Sequence, residues 1–316
     1  MIKIFNRIFE SRLLFALTLL LILYGLFIAP DDGHATRTWT EIWNLGHVGA
    51  FICIWLFVFN IFPRIQRLSA IKLILLVCIS TLVLAKLIEF VQGLIGRDDE
   101  WQDVWDSGVG ALLVVTFFSA QVCKLAVRQR YSWRLLALII LIAVPWSIWS
   151  ALTDEIFIRR QFPVLSNFST PFELSRWKTN MAKIHLQRNA GKGQPFLAVE
   201  YLPAEYSTVT LEYFYPDWRG YKQLVLEMTN PESTDIRVVL RIHDRLHKLH
   251  HFDLNDRFNR SLLLKPGCQR IDIAIADVEK APASRKMDLQ HIEALSLFTI
   301  GLTSIRHVDI HTVYLE

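Results

Sequence analysis

Five long apolar runs fill the first 152 positions of this 316-residue chain, and none follows them. A helix needs about 20 mainly apolar residues to cross a bilayer, so runs of this length restrict the first half to membrane spans or fully buried core helices. They are Leu13–Ala29, Leu45–Phe62, Ala70–Ile95, Gly108–Val127 and Leu135–Leu152. Hydrophobic residues make up 52% of the chain and concentrate here. The second half instead alternates apolar and polar positions, as a soluble domain does. The first run has the basic flank of a signal peptide (Lys3, Arg7, Arg12). Its apolar stretch exceeds a typical h-region and no small-x-small cleavage site follows, so it reads as a retained helix.

Lysine and arginine in the short connections give a direction. Arg64, Arg67 and Lys72 fill the second connection, and Lys124, Arg128, Arg130 and Arg134 the fourth. The first and third hold only Arg37 and Arg97. The expectation is a multi-pass protein of the cytoplasmic (inner) membrane. Its N-terminus lies inside, it makes five crossings, and its second half lies outside, in the periplasm of a Gram-negative cell.

On that topology several polar residues approach one membrane face. His47 opens the second span, Glu89 and Gln92 end the third, and Arg97, Asp103 and Asp106 follow. Lys86, Glu89 and Gln92 share one side of a helix by their spacing. Ionisable groups in a membrane face a protein interior or a watery cavity. Two readings stand side by side: helix-packing polar pairs such as Lys86 with Glu89, or an outward-facing pocket for a polar head group. The acids of the third connection read as a solvated loop.

Residues 39–118 resemble the VanZ-like family of small membrane proteins, named from glycopeptide-antibiotic resistance. The resemblance rests on His47, Glu89-Phe-Val-Gln92, Arg97, Asp103 and Ser107-Gly-Val-Gly110. Ser107 stands where the family has Asn, and Trp43-Asn44 where it often has Asp-Lys. The resemblance implies a shared role for His47, Glu89, Gln92, Arg97 and Asp103.

Beyond residue 152, Thr153–Pro163 reads as a connector. Nine strands are expected by alternation and β-branched content. These are 182–188, 196–201, 208–214, 223–229, 236–243, 261–264, 270–276, 294–300 and 308–315. Turn signals between them argue for an all-β sandwich, jelly-roll-like, over residues 164–316. This half resembles the carbohydrate-binding-module and galactose-binding-like sandwich group. The features are Phe172-Glu173 with Trp177, Gly191-x-Gly-x-Pro-Phe-Leu, Arg241-Ile-His-Asp244 and Asp256-Arg-Phe-Asn259. Related domains hold calcium through an early Glu and a late Asp; Glu173 fits, but His311 stands at the second position. Trp218 and Tyr221 could stack on sugar rings, or Trp218 could pack inward within a turn.

The run from His243 to His251 ends a strand and enters a loop, so it reads as polar loop chemistry rather than a zinc motif. No nucleotide-binding glycine loop and no hydrolase or metalloprotease motif is present. No cofactor or metal is expected. The net charge of +4 divides as 13 basic against 10 acidic residues before position 153 and 21 against 20 after it, too even for a nucleic-acid partner. One cysteine, Cys268, lies in the second half, so no disulfide framework is expected there. The expected partners are a membrane lipid and an envelope glycan or lipid-linked precursor. The leading expectation is an envelope protein that binds a lipid or glycan head group. The alternatives are an enzyme acting on such a precursor, with Glu89 or Asp103 as base, and a structural membrane protein.

Overall fold

The computed structural model describes residues 37–94, 101–143, 146–188, 193–250 and 253–316, with Leu17, Leu20–Ile22, Tyr24 and Gly25. The chain divides into two compact units, Met1–Leu152 and Thr153–Glu316.

In the first unit, helices α1 (Arg37–Ile61), α2 (Ala70–Leu94) and α3 (Trp101–Phe118) form the core. The buried positions of α1 include His47, Phe51, Trp55 and Phe59, and those of α2 include Leu73, Val77, Thr81, Ala85 and Glu89. Each set repeats every four residues, which lines up one face of a helix. The opposite face of α2 exposes Ile71, Leu75, Ile79, Leu82, Leu87 and Phe90. Such an apolar outer face suits lipid, where polar groups turn toward neighbouring helices. Trp55 Nε1 donates to Thr81 Oγ1 at 2.9 Å and ties α1 to α2.

Helix α3 packs against both α1 and α2. A Cβ at Gly110 would lie 2.4 Å from the Val48 carbonyl oxygen and 3.2 Å from Phe51 Cβ. Only glycine lets the two backbones approach so closely here.

Among the described residues, three runs are long and apolar enough to cross a membrane: α1, α2, and the stretch Val127–Gln161. These three candidates differ in position from the five expected runs. Most of the first expected span, 13–29, lies outside the described residues; the few positions described are helical. The fourth expected run is α3, which begins earlier, at Trp101, ends at Phe118, and is not one of the three candidates. Ser119 then caps a short α4 (Ala120–Lys124), accepting from Gln121 N–H. The fifth falls in the stretch that holds α5 (Val127–Ala143) and α6 (Trp146–Gln161), which begins before the expected span and runs past its end. Helix α6 overruns most of the expected connector. Nothing in Thr153–Gln161 breaks a helix, Arg159 and Arg160 suit its C-terminal dipole, and Pro163 follows its end. Asp103 and Asp106, expected in a solvated loop, lie in the first two turns of α3 and are buried. Acids favour a helix N-terminus, and Asp103 is covered by His47 of α1 and Glu89 of α2.

The second unit is an antiparallel β-sandwich. One sheet runs β3 (Ala182–Arg188), β4 (Pro195–Tyr201), β11 (Arg306–Leu315), β6 (Gln223–Asn230), β9 (Gly267–Ala274), with β1 (Val164–Ser166) also on β11. The other runs β2 (Trp177–Asn180), β5 (Tyr206–Leu211), β10 (Ile292–Ile300), β7 (Ile236–Asp244), β8 (Phe258–Leu264). All nine expected strands form, with end shifts; β1 and β2 are additions. The alternation seen in sequence is the alternation of burial: Ile236, Val238, Leu240 and Ile242 of β7 point inward and their neighbours outward. They meet Leu197, Val199, Leu224, Leu226 and Ile310 in the core.

Within this unit Asp154 of α6 and Arg176 are both fully buried, with Arg176 Nη2 2.6 Å from Asp154 Oδ1. Breaking a buried pair costs more than losing a surface one, because the remaining charge stays desolvated.

Gly110→Ala in the full-length protein is expected to force α1 and α3 apart and lower stability by roughly 1–3 kcal/mol, the usual cost of overpacking. Gly108→Ala, with nothing within 4 Å of its added methyl, should be neutral or slightly stabilising. Thermal unfolding of both variants in detergent checks the contrast; equal effects would remove the close crossing.

Candidate functional site

The four-residue stripes of α1 and α2 end in polar groups, and α3 brings a third. His47 Nε2 lies 3.2 Å from Asp103 Oδ2. His47, Glu89 and Asp103 offer ligand-type atoms that all lie within 4.8 Å of one another. Glu89 and Gln92 are 1% exposed, and Gln92 sits one turn beyond Glu89 on α2. Ser107 Oγ donates to the Asp103 carbonyl at 2.7 Å, and Gln102 Nε2 to Asp106 Oδ1 at 3.3 Å. Lys86 places its ammonium 4.0 Å from the Trp101 ring centre, a cation–π contact. The structure therefore gathers His47, Glu89, Gln92 and Asp103. Arg97 lies outside the described residues. The described side chains are packed, so the cluster is closed rather than open to solvent. No metal was expected from the sequence, because the three ligand-type residues come from three separate helices with no motif spacing.

In the sandwich, a groove of about 750 Å³ crosses the outer face of the five-stranded sheet. Tyr206, Thr208 and Thr210 of β5 line it; the intervening Ser207, Val209 and Leu211 are buried. Phe298 of β10 tilts against Tyr206, ring centres 6.3 Å apart. Lys178, Arg241 and Arg257 supply positive charge and Glu212 one negative. Arg241 Nη2 donates to Ser296 Oγ at 2.9 Å. The Nε atoms of Arg241 and Arg257 are buried without a hydrogen-bond partner among the described residues. Burial, then the charge of Arg257, pulls Arg241 below the ordinary arginine range; burial does the same to Arg257. Two partly desolvated guanidiniums lining one groove make its charge positive, which suits an anionic oxygen.

The expected sugar-stacking residues lie elsewhere. Trp218 is fully buried against Phe214, ring centres 5.7 Å apart, so it cannot stack on a ligand. Its turn needs the left-handed φ of +86° at Gly220, and that turn carries the indole inward. Tyr221 packs on Phe162 at 5.3 Å. The groove aromatics Tyr206 and Phe298 were not singled out. The available signal was strict alternation in Tyr206-Ser-Thr-Val-Thr-Leu, which puts Tyr206 on the face opposite the core.

The histidine-rich segment is organised by an arginine. Arg285 reaches Asp244 at 2.5 and 2.8 Å and Asp256 at 2.7 Å through two nitrogens. His247 Nδ1 is 3.4 Å from Asp256. The carboxylates a metal would need already hold a guanidinium. Glu173 is likewise committed. It accepts from the N–H groups of Asn167 and Phe168 at 2.8 Å and of Thr170 at 3.2 Å, and from the Ser166 hydroxyl at 3.0 Å. Desolvation works against its charge, but Arg176 and these backbone donors outweigh it, and its pKa falls below the usual range. A carboxylate surrounded by donors suits a loop clasp better than calcium. His311 shares a hydrogen bond with Thr229 Oγ1 at 2.8 Å.

No family model matches the chain, and no curated protein matches it. Among solved structures it is similar to the family 11 carbohydrate-binding module from Clostridium thermocellum in complex with a β-1,3-1,4-mixed-linked tetrasaccharide. That match has 13% identity, covers 48% of this chain and 93% of that one, and has a TM-score of 0.37. It is also similar to an exo-β-agarase, at 14% identity over 48% of this chain and 24% of that one, with a TM-score of 0.38. A likeness this distant carries no functional weight beside the geometry above.

His243 gives a pH test. Burial first, then the charges of Arg241 and His247, lower its pKa from 6.5 to about 3. The folded state keeps it neutral while the unfolded chain protonates it. Its contribution is therefore full above pH 6.5 and is lost as pH falls toward 3. The Thr153–Glu316 unit should lose stability across that window, and His243→Gln should flatten the decline. His247, lowered by burial in the same direction, leaves some slope behind. Identical slopes by thermal unfolding would remove His243 as the source.

Proposed function

We propose that the protein is a multi-pass membrane protein of the cell envelope whose sandwich, displayed outside the membrane, binds an acidic glycan along the five-stranded sheet. The observation that carries this reading is the pair of arginines, Arg241 and Arg257, that line one groove together with Tyr206. An arginine donates its N–H groups to carboxylate or phosphate in fixed directions. Tyr206, which is exposed, offers a ring face for the apolar side of a sugar, with Phe298 packed beside it. Thr208, Thr210, Asn180 and Asn259 offer the neutral donors and acceptors that hydroxyl groups need.

Membrane placement is supported by the three apolar runs and by the exposed apolar face of α2. The arginine-rich second and fourth connections support an inside N-terminus and an outside sandwich. The helical half carries a VanZ-like pattern. Its polar cluster is closed, which favours an internal role over direct capture of a lipid head group.

A glycan array probed with the Thr153–Glu316 unit, which has its own core, tests the reading. Glycans bearing uronic acid or phosphate should bind and their neutral counterparts should bind far less. Arg257→Gln should weaken binding roughly tenfold or more, the worth of a charge-assisted hydrogen bond. Tyr206→Ala should weaken acidic and neutral glycans alike. Binding that ignores charge, or an array with no hits, would contradict the proposal.

A further inference from the structure

The geometry points to a divalent transition-metal site in the helical unit, held by His47 of α1, Glu89 of α2 and Asp103 of α3. Their ligand-type atoms lie within 4.8 Å of one another, and all three side chains are 1–3% exposed. Zinc binds imidazole and carboxylate at about 2.0–2.2 Å, which places tetrahedral ligands about 3.4 Å apart. His47 Nε2 and Asp103 Oδ2 already stand at 3.2 Å. Side-chain closure on the order of 1 Å completes the triangle, within the reach of Glu89 rotamers.

The chemistry of the set selects the ion. Imidazole suits zinc, iron or nickel, whereas calcium and magnesium prefer oxygen alone. A divalent cation held by one imidazole and two carboxylates leaves the occupied site without net charge, which suits an apolar bundle. Gln92, buried one turn from Glu89, stands on the same face as a further donor. The ligands come from three helices, so binding joins all three. Gly110 sits two turns from Asp103 on α3, beside Val48, the residue after His47. The close crossing thus sets the distance between two of the three ligands. Without an ion, the same atoms form a His–Asp pair, and the two cases differ in measurable ways.

The test uses full-length protein in detergent, stripped with chelator and then offered zinc chloride alone or cobalt chloride alone. Elemental analysis should find about one zinc per chain after desalting, and cobalt should give the d–d absorption of a four- or five-coordinate site. Zinc should also raise the unfolding temperature, because it binds only the folded chain. His47→Gln and Asp103→Asn should each weaken zinc at least tenfold and abolish the cobalt band. His250→Gln, at an exposed histidine of the sandwich, should change neither. If a ligand variant fails to fold, His47→Cys settles the matter: a thiolate keeps the metal and adds a charge-transfer band to the cobalt spectrum. Failure of the wild type to retain zinc, or a cobalt spectrum identical in wild type and His47→Cys, would overturn the site.

Discussion

Taking a charge out of water costs several kcal/mol unless a partner compensates it, and that constraint fixes where this chain can place its buried polar groups. In the sandwich, Asp154 meets Arg176 at 2.6 Å, and Arg285 spans Asp244 and Asp256. In the helical unit, His47 meets Asp103 beside Glu89. Each arrangement is assembled from residues distant in sequence, so each depends on a tertiary contact being right. The groove departs from this rule. There, Arg241 and Arg257 line one open groove, and among the described residues no ion pair joins a carboxylate to either.

The helical unit shows how packing sets up chemistry. The four-residue repeats of α1 and α2 make apolar stripes that end in His47 and Glu89. The stripe explains why these groups face a neighbouring helix rather than the exposed apolar side. Gly110 then lets α3 come close enough for Asp103 to reach His47. Apolar packing, a missing side chain and an acid in a first helical turn are separate features, and together they fix one cluster.

Much of this was readable beforehand and some was not. The strand alternation of Ile236–Asp244 predicts its buried face directly, because side chains alternate with period two. The polar residues of the helical half were placed together by span order and spacing. The loop reading of Asp103 and Asp106 failed because acidic composition suggests solvent, while the covering helices decide burial. Trp218 stood open between two orientations, because a turn sequence shows that the chain bends but not which way the indole points; the structure takes the inward one. β1 and β2 are three and four residues long, too short to show a period. The groove arginines, one in β7 and one preceding β8, share a site only through the strand order β10-β7-β8.

The most direct test of the sandwich as an acidic-glycan reader is a residue-resolved NMR titration of the Thr153–Glu316 unit with a short uronic-acid oligosaccharide. Shifts should concentrate at Tyr206, Thr208, Thr210, Arg241, Arg257 and Asn259, on the outer face of the five-stranded sheet. Shifts confined to the opposite sheet, at Lys183, His185 or Arg270, or no shifts at millimolar ligand, would contradict it.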